Sequence, residues 1–132
     1  MNHGRVLYSD LTLRYFRSAP HAGVLRGGGV GSGAAGSRES GTAIQFDIQV
    51  VDERITATRF LAYGCPHVIA IASWLADQST GLLARPALPE DVQALKRRFD
   101  LPVEKLGRIL LVEDAWIAAI RSAVTKSNCT ML

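Results

Sequence analysis

Residues 43–76 read AIQFDIQVVDERITATRFLAYGCPHVIAIASWLA, and this stretch decides the fold. In its first part, 43–50, apolar residues alternate with Gln45, Asp47 and Gln49, which predicts a strand with one buried and one wet face. A polar turn follows at 52–54, and the β-branched residues of 55–62 predict a second strand. Because the connection is so short, the two strands form an antiparallel hairpin.

A buried helix is predicted directly after the hairpin. Pro66 occupies the favoured first helical position, and residues 68–76 contain almost no polar side chain, which is typical of a helix buried on all sides. Cys65 lies where the strand pattern becomes the helix pattern. There the positive end of the helix dipole favours the thiolate over the thiol, so Cys65 is the candidate reactive residue.

The sequence before the hairpin predicts a short helix and a glycine-rich segment. The pattern of residues 7–18 favours a helix that begins near Ser9. Residues 27–41 predict an irregular edge strand and a mobile loop. A phosphate-binding loop is disfavoured, because the lysine of such loops is absent and no clear strand precedes the glycines.

The sequence after the hairpin predicts two more helices. Residues 90–98 form a short surface helix, and the longest helix runs from Glu104 to about Lys126. Residues 127–132 are expected to be a flexible tail. Together these elements predict one α+β domain over residues 1–132, with an antiparallel sheet of about three strands packed against helices.

Composition narrows the classes of function. The chain has 132 residues, of which 48% are hydrophobic and 20% charged, as expected of a soluble globular domain. No apolar run reaches the ~18 residues of a membrane span, and no signal-peptide core is present. The two cysteines, Cys65 and Cys129, predict no structural disulfide, with Cys129 as an exposed tail thiol. We expect a cytoplasmic protein.

The charge pattern argues against nucleic acid as a partner. The net charge is +3, and the basic residues are spread along the chain apart from the run at 96–98. At the end of a helix, such a run more often compensates the helix dipole than binds phosphates.

Several short stretches, in this order, resemble the iron–sulfur cluster assembly scaffold family with the NifU N-terminal or IscU-type domain. They are Leu7-Tyr8-Ser9-Asp10, Val30-Gly31-Ser32-Gly33, Tyr63-Gly64-Cys65, Leu101-Pro102-Val103-Glu104-Lys105 and Glu113-Asp114-Ala115. The resemblance implies a non-enzymatic iron–sulfur cluster assembly protein. It implies a cysteine desulfurase as partner and an Hsp70-type chaperone that reads 101–105, where Val103 and Glu104 depart from the family pattern.

The resemblance also implies that most of the family's ligands are missing. Scaffold chemistry in the family uses three cysteines and an aspartate. Cys65 matches the second cysteine, whereas Ser40, Thr42 and Arg108 stand at the other positions. A serine hydroxyl is a poor iron ligand, and the permanently protonated arginine cannot ligate at all. In this fold Arg108 is expected to face Cys65, where it would stabilise a thiolate or persulfide and repel Fe²⁺.

Three hypotheses of function stay open. The first is a scaffold that holds iron or a [2Fe–2S] cluster through Cys65 and His67. It would bind the cluster weakly, or between the two chains of a homodimer. The second is a single-thiol acceptor of persulfide sulfur at Cys65, as in SufE-type proteins of similar fold. The third is a non-catalytic module that docks on assembly partners. His67 is otherwise a capping or surface imidazole, and His21 is expected to be a solvated loop residue.

Overall fold

A computed structural model describes residues 8–130, with side chains for residues 8–127. Within this range the elements are α1 (Asp10–Arg17), β1 (Val30–Ser37), β2 (Thr42–Val51), β3 (Arg54–Tyr63), α2 (Pro66–Ser79), α3 (Val92–Phe99) and α4 (Leu106–Thr130), with a 3-10 helix at Val103–Lys105. The strands form one antiparallel sheet in the order β1-β2-β3. The predicted α+β class and three-stranded sheet are therefore confirmed.

The β2–β3 hairpin matches its prediction to within one residue at each end. Asp52 and Glu53 take positive φ values of 51° and 66°, the geometry of a tight two-residue hairpin turn. The inward side chains, such as Phe46 and Ile48, are fully buried in a core that also contains residues of α2 and α4. The Trp116 ring of α4 meets the Phe46 ring edge-on, with 5.1 Å between ring centroids.

The two shorter helices are close to their predictions. Ser9 is the N-cap of α1, because its hydroxyl accepts a hydrogen bond from the Thr12 N–H at 3.1 Å. Leu7 lies outside the described residues. In α3, Asp91 caps the first turn by accepting from the Ala94 N–H at 2.7 Å, and the helix ends one residue later than predicted.

The predictions for β1 are only partly right. The strand lies at the sheet edge as expected, but it is a regular strand of eight residues rather than an irregular strand and loop. Its glycines bring it close to α4. A Cβ on Gly31 would lie 2.0 Å from the Ala123 nitrogen, and one on Gly33 would lie 2.2 Å from the Ala119 nitrogen. The glycines therefore serve helix–strand packing rather than flexibility.

Helix α4 continues beyond its predicted end near Lys126. It reaches Thr130, and Ser127 is only 7% exposed, so the predicted tail at 127–132 is wrong for 127–130. Packing against β1 extends the helix where the sequence alone suggests fraying. Residues 131 and 132 and the Cys129 side chain lie outside the described part of the chain. No helix within that part is both long enough and apolar enough to cross a membrane.

Asp47, on the outer face of the sheet, is more deeply buried than predicted. This residue is 4% exposed, because the segment before β1 crosses the sheet and its Leu25 N–H donates to the carboxylate at 3.0 Å. Ser32 and Gln45 donate to the same carboxylate at 2.7 and 3.0 Å. Burial raises the pKa of Asp47, but these donors, with the charge of Lys126, bring it below its ordinary value.

His21 lies in a turn outside the helices and strands, as predicted, but its side chain is only 27% exposed. The segment around it pairs with β3, because the Phe60 N–H donates to the His21 carbonyl at 3.1 Å. The His21 ring lies between Arg59 at 3.2 Å and the carboxylate of Asp77 at 3.5 Å. The same carboxylate accepts from the Tyr15 hydroxyl at 2.9 Å, so His21 helps to join the segment to α1, α2 and β3.

The close approach of β1 and α4 makes a stability prediction. We expect Gly33→Ala to lower the free energy of unfolding by about 3 kcal/mol, because its Cβ meets helix backbone that cannot move aside alone. Gly107→Ala is the matched control, since a Cβ there meets nothing within 4 Å; helix propensity should make it neutral or stabilising by up to ~1 kcal/mol. Urea denaturation measures both. Equal effects of the two substitutions would contradict the packing.

Candidate functional site

The junction between β3 and α2 positions Cys65. Gly64 turns the chain with a φ of 152°, and Cys65 is the N-cap residue in extended conformation. Its carbonyl accepts from the Val68 N–H at 3.1 Å, which starts the helix. Pro66 at the first helical position fixes the entry. The thiol is half-buried, so it combines partial protection from water with access from outside.

The surroundings of Cys65 favour its ionised form. Burial raises the pKa of the thiol, but the N–H of Val68, a hydrogen bond from the Arg108 side chain, the charge of Lys105 and the N–H of His67 together lower the pKa below its ordinary value. As a thiol, Cys65 makes no capping hydrogen bond; the helix N–H groups act on the anion. These groups therefore shift the equilibrium between thiol and thiolate at Cys65 towards the thiolate.

Arg108 lies on the first turn of α4, and its side chain is among the groups that lower the pKa of Cys65. The sequence reasoning missed Lys105, which it treated only as part of the stretch at 101–105. The spacing of Lys105 and Arg108 in the sequence would have indicated it. Residues three apart around a helix start point to the same side, so a cation at Lys105 accompanies one at Arg108.

The turn between β1 and β2 approaches the same junction. A Cβ on Gly64 would lie 3.4 Å from the Gly41 carbonyl oxygen and 3.6 Å from the Thr42 hydroxyl. Thr42 is buried at the start of β2. Ser40 is exposed, and its hydroxyl donates to the Ser37 carbonyl at 2.9 Å within the turn. Thr42 and Arg108 thus lie beside the Cys65 junction, and Ser40 is tied into the neighbouring turn.

His67 is neither a surface imidazole nor a cap, so that expectation is wrong. It is 1% exposed, and neither ring nitrogen has a hydrogen-bond partner among the described residues. Its ring packs against Tyr8, with 4.7 Å between centroids. Burial and the nearby charges of Lys105 and Arg108 lower the pKa of His67, so the ring is neutral at physiological pH.

Among the described residues, the donor set around Cys65 does not complete a metal site. Cys65 is a soft ligand, but Ser40 and Thr42 offer neutral hydroxyls and Arg108 offers a cation. In the part of the chain that the structure describes, no three His, Cys, Asp or Glu side chains come together as a metal site. A metal role for Cys65 and His67 stays a prediction.

Comparison with known proteins places this geometry in context. The family model for the NifU-like N terminal domain matches residues 7–130. The Saccharomyces cerevisiae "Iron sulfur cluster assembly protein 2, mitochondrial" is 32% identical over 105 residues, which are 78% of this chain and 67% of the relative. The Haemophilus influenzae "Iron-sulfur cluster assembly scaffold protein IscU" is 28% identical, with 92% and 98% covered.

Solved structures share the fold. The N-terminal part of a NifU-like protein from Brucella abortus superposes with a TM-score of 0.70 at 19% identity, covering 89% of this chain and 94% of that one. An assembly scaffold protein from Fervidobacterium islandicum gives the same TM-score at 14% identity, with 86% and 96% covered. At these identities the likeness carries the fold alone.

The site geometry predicts how Arg108 controls Cys65. In a Cys129→Ser background, we expect Arg108→Gln to raise the pKa of Cys65, because one stabilising hydrogen bond and one charge are lost. Alkylation by iodoacetamide at neutral pH should slow several-fold, since a smaller fraction is thiolate. Arg121→Gln, an exposed arginine on the same helix, is the control. An unchanged pH profile of alkylation in the Arg108 variant would contradict the assignment.

Proposed function

Because the chain belongs to the family of NifU-like N terminal domains, we propose that it works in iron–sulfur cluster assembly by accepting sulfur on Cys65. The prediction of an iron–sulfur cluster assembly protein that resembles the scaffold is confirmed by the family match and by the names of the relatives. The step performed at Cys65 is our proposal. It is not an enzymatic step, since the protein would carry sulfur rather than turn it over.

The observation that carries this proposal is the convergence of positive charge on a single half-buried sulfur. Two cations and the first N–H groups of α2 stabilise an anion at Cys65. A persulfide is more acidic than a thiol, and its anion is more polarisable than a thiolate. The same groups that stabilise a thiolate at Cys65 would stabilise this anion. The cations that favour it would repel Fe²⁺, so they support the sulfur role over iron binding within one chain.

The proposed transfer is a thiol exchange. The Cys65 thiolate attacks the outer sulfur of a persulfide carried by a donor cysteine. A bond forms between Sγ of Cys65 and that sulfur while the bond to the donor sulfur breaks. The electron pair leaves with the donor, which departs as thiolate. Cys65 is left as a persulfide, and no oxidant is consumed. Arg108 and Lys105 stabilise the negative charge before and after the exchange.

A second candidate is iron or a [2Fe–2S] cluster held between two chains. Family membership favours cluster handling, and the half-buried thiolate of Cys65 is accessible to a second copy. Two chains would supply two thiolates. His67 would contribute only if its buried ring turned away from Tyr8, which makes it the less favourable ligand. This candidate requires a homodimer in which the cations lie beside the cluster.

The partners follow from the same proposal. A cysteine desulfurase is the proposed donor, since it would carry the persulfide that this exchange uses, and an Hsp70-type chaperone remains a proposal for the stretch at 101–105. There Leu101 is buried and Val103 is 67% exposed, so only part of the stretch is available in the folded chain. If Cys65 proves inert, docking on these partners is the remaining function. The cytoplasmic location stays a prediction, whereas the yeast relative is named mitochondrial.

A sulfur-transfer assay distinguishes the candidates. The reduced chain is incubated with a cysteine desulfurase and cysteine, and intact mass is measured for the wild type and for Cys65→Ser. We expect a gain of one sulfur atom on the wild type, none at position 65 in the variant, and the wild-type gain in Cys129→Ser. No gain at Cys65 would contradict the sulfur role.

Anaerobic reconstitution with iron and sulfide is the companion measurement. A sulfur carrier should develop no stable charge-transfer absorbance as a monomer. An absorbance that elutes with a dimer and disappears in Cys65→Ser would favour the cluster between chains instead.

A further inference from the structure

A cavity of about 510 Å³ lies where the loop after α2 crosses the start of β3. Its lining includes two buried side chains, Ile55 of β3 and Trp116 of α4, together with Leu82, Leu83 and Leu88 of the loop. Leu82 and Leu83 are exposed, so the cavity opens to solvent. A concave site of this size with a mainly apolar lining is typical of a small-molecule pocket.

Hydrogen bonds hold the loop against the sheet and α4. The Ile55 N–H donates to the Leu82 carbonyl at 2.8 Å. Farther along the loop, the Trp116 indole N–H donates to the Ala87 carbonyl at 3.2 Å. The walls of the cavity are therefore fixed before any ligand arrives, which avoids the cost of ordering a loop on binding.

Two arginines give the cavity a positive charge. Arg54 and Arg85 line it, and no acidic side chain does so among the described residues. Arg85 also lines an adjoining cavity with Asp52 and Glu53, yet no carboxylate of the described residues lies within ion-pair distance of either arginine. Arg54 donates to the Gly81 carbonyl at 2.9 Å, which uses one of its five N–H donors. The cavity thus combines an apolar floor with unpaired positive charge.

We propose that this cavity binds a small carboxylate with an apolar chain, of the medium-chain fatty-acid class. The chain lies against Ile55, Trp116 and the leucines of the loop, where it is removed from water. The carboxylate accepts hydrogen bonds from Arg85 and Arg54, because a guanidinium matches the two oxygens of a carboxylate. A neutral ligand of the same shape would leave both charges without a partner.

The cavity is remote from Cys65. It lies at the start of β3, whereas Cys65 follows the end of that strand. The stretch from Ile55 to Tyr63 alone spans roughly 26 Å at about 3.3 Å per residue. Binding of the carboxylate can therefore be tested separately from sulfur transfer, and failure of one leaves the other intact.

The test is a titration of the full-length chain, labelled with ¹⁵N, with sodium decanoate below its micelle concentration. Nuclear magnetic resonance follows the indole N–H signals of Trp74 and Trp116, of which only Trp116 lines the cavity. We expect the Trp116 signal to shift and to saturate, and the Trp74 signal to stay in place. Decanol keeps the apolar chain without the charge, so it should bind at least about tenfold more weakly.

Arg85→Gln tests the role of charge. Arg85 is exposed, and its side chain makes no hydrogen bond or ion pair with another described residue, so the variant should fold. We expect the Kd for decanoate to rise about tenfold, the effect of losing one charge-assisted hydrogen bond. Arg121→Gln is the matched control, since this exposed arginine does not line the cavity; it should leave the Kd unchanged.

Several results would overturn the carboxylate site. A Trp116 signal that does not move, or that moves without saturating, would show that decanoate does not occupy the cavity. Equal Kd values for decanoate and decanol would show that the arginines do not select a carboxylate. Equal effects of Arg85→Gln and Arg121→Gln would show that only the net charge of the protein matters.

Discussion

The contact between the backbones of β1 and α4 is the constraint on which the rest of the structure depends. Gly31 and Gly33 let the helix lie against the strand at a distance that no side chain allows. Because the second half of α4 is held against β1, the position of its first turn is fixed as well. Arg108 precedes Ala119 by eleven residues, or roughly 16 Å of helix at 1.5 Å per residue. Packing of α4 against β1 at one end of the sheet thus positions Arg108 near the Cys65 sulfur at the other end.

In our proposal, the resulting site favours anions over metal ions. The start of α2, the β1–β2 turn, the 3-10 helix and the first turn of α4 meet in this fold, and here Lys105 and Arg108 lower the pKa of the Cys65 thiol. The positive charges of Lys105 and Arg108, which favour a sulfur anion at Cys65, would repel Fe²⁺ from the same place. Membership of the family establishes cluster assembly as the setting, while the side chains determine which step of it this chain can perform.

Local patterns were enough to predict the hairpin, α2 and the position of Cys65, because strand alternation, the turn and Pro66 all act over a few residues. The regularity of β1 was not predictable in this way, since it depends on a helix ninety residues away in sequence. Asp47, His21 and His67 were misplaced for the same reason. Each is covered by a segment distant in the chain, and sequence alternation carries no information about such covering segments. The place of Lys105 beside Arg108 could have been predicted from helical spacing alone.

Cluster binding by a variant with restored ligands tests the central claim most directly, namely that Ser40, Thr42 and Arg108 occupy ligand positions around Cys65. The measurement is anaerobic reconstitution of Ser40→Cys/Thr42→Asp/Arg108→Cys with iron and sulfide, followed by iron content and visible absorbance per monomer. We predict that the variant gains a cluster within one chain, that the same variant with Cys65→Ser does not, and that the wild-type monomer does not. A folded variant that binds no cluster, or a wild-type monomer that binds one equally well, would contradict the claim.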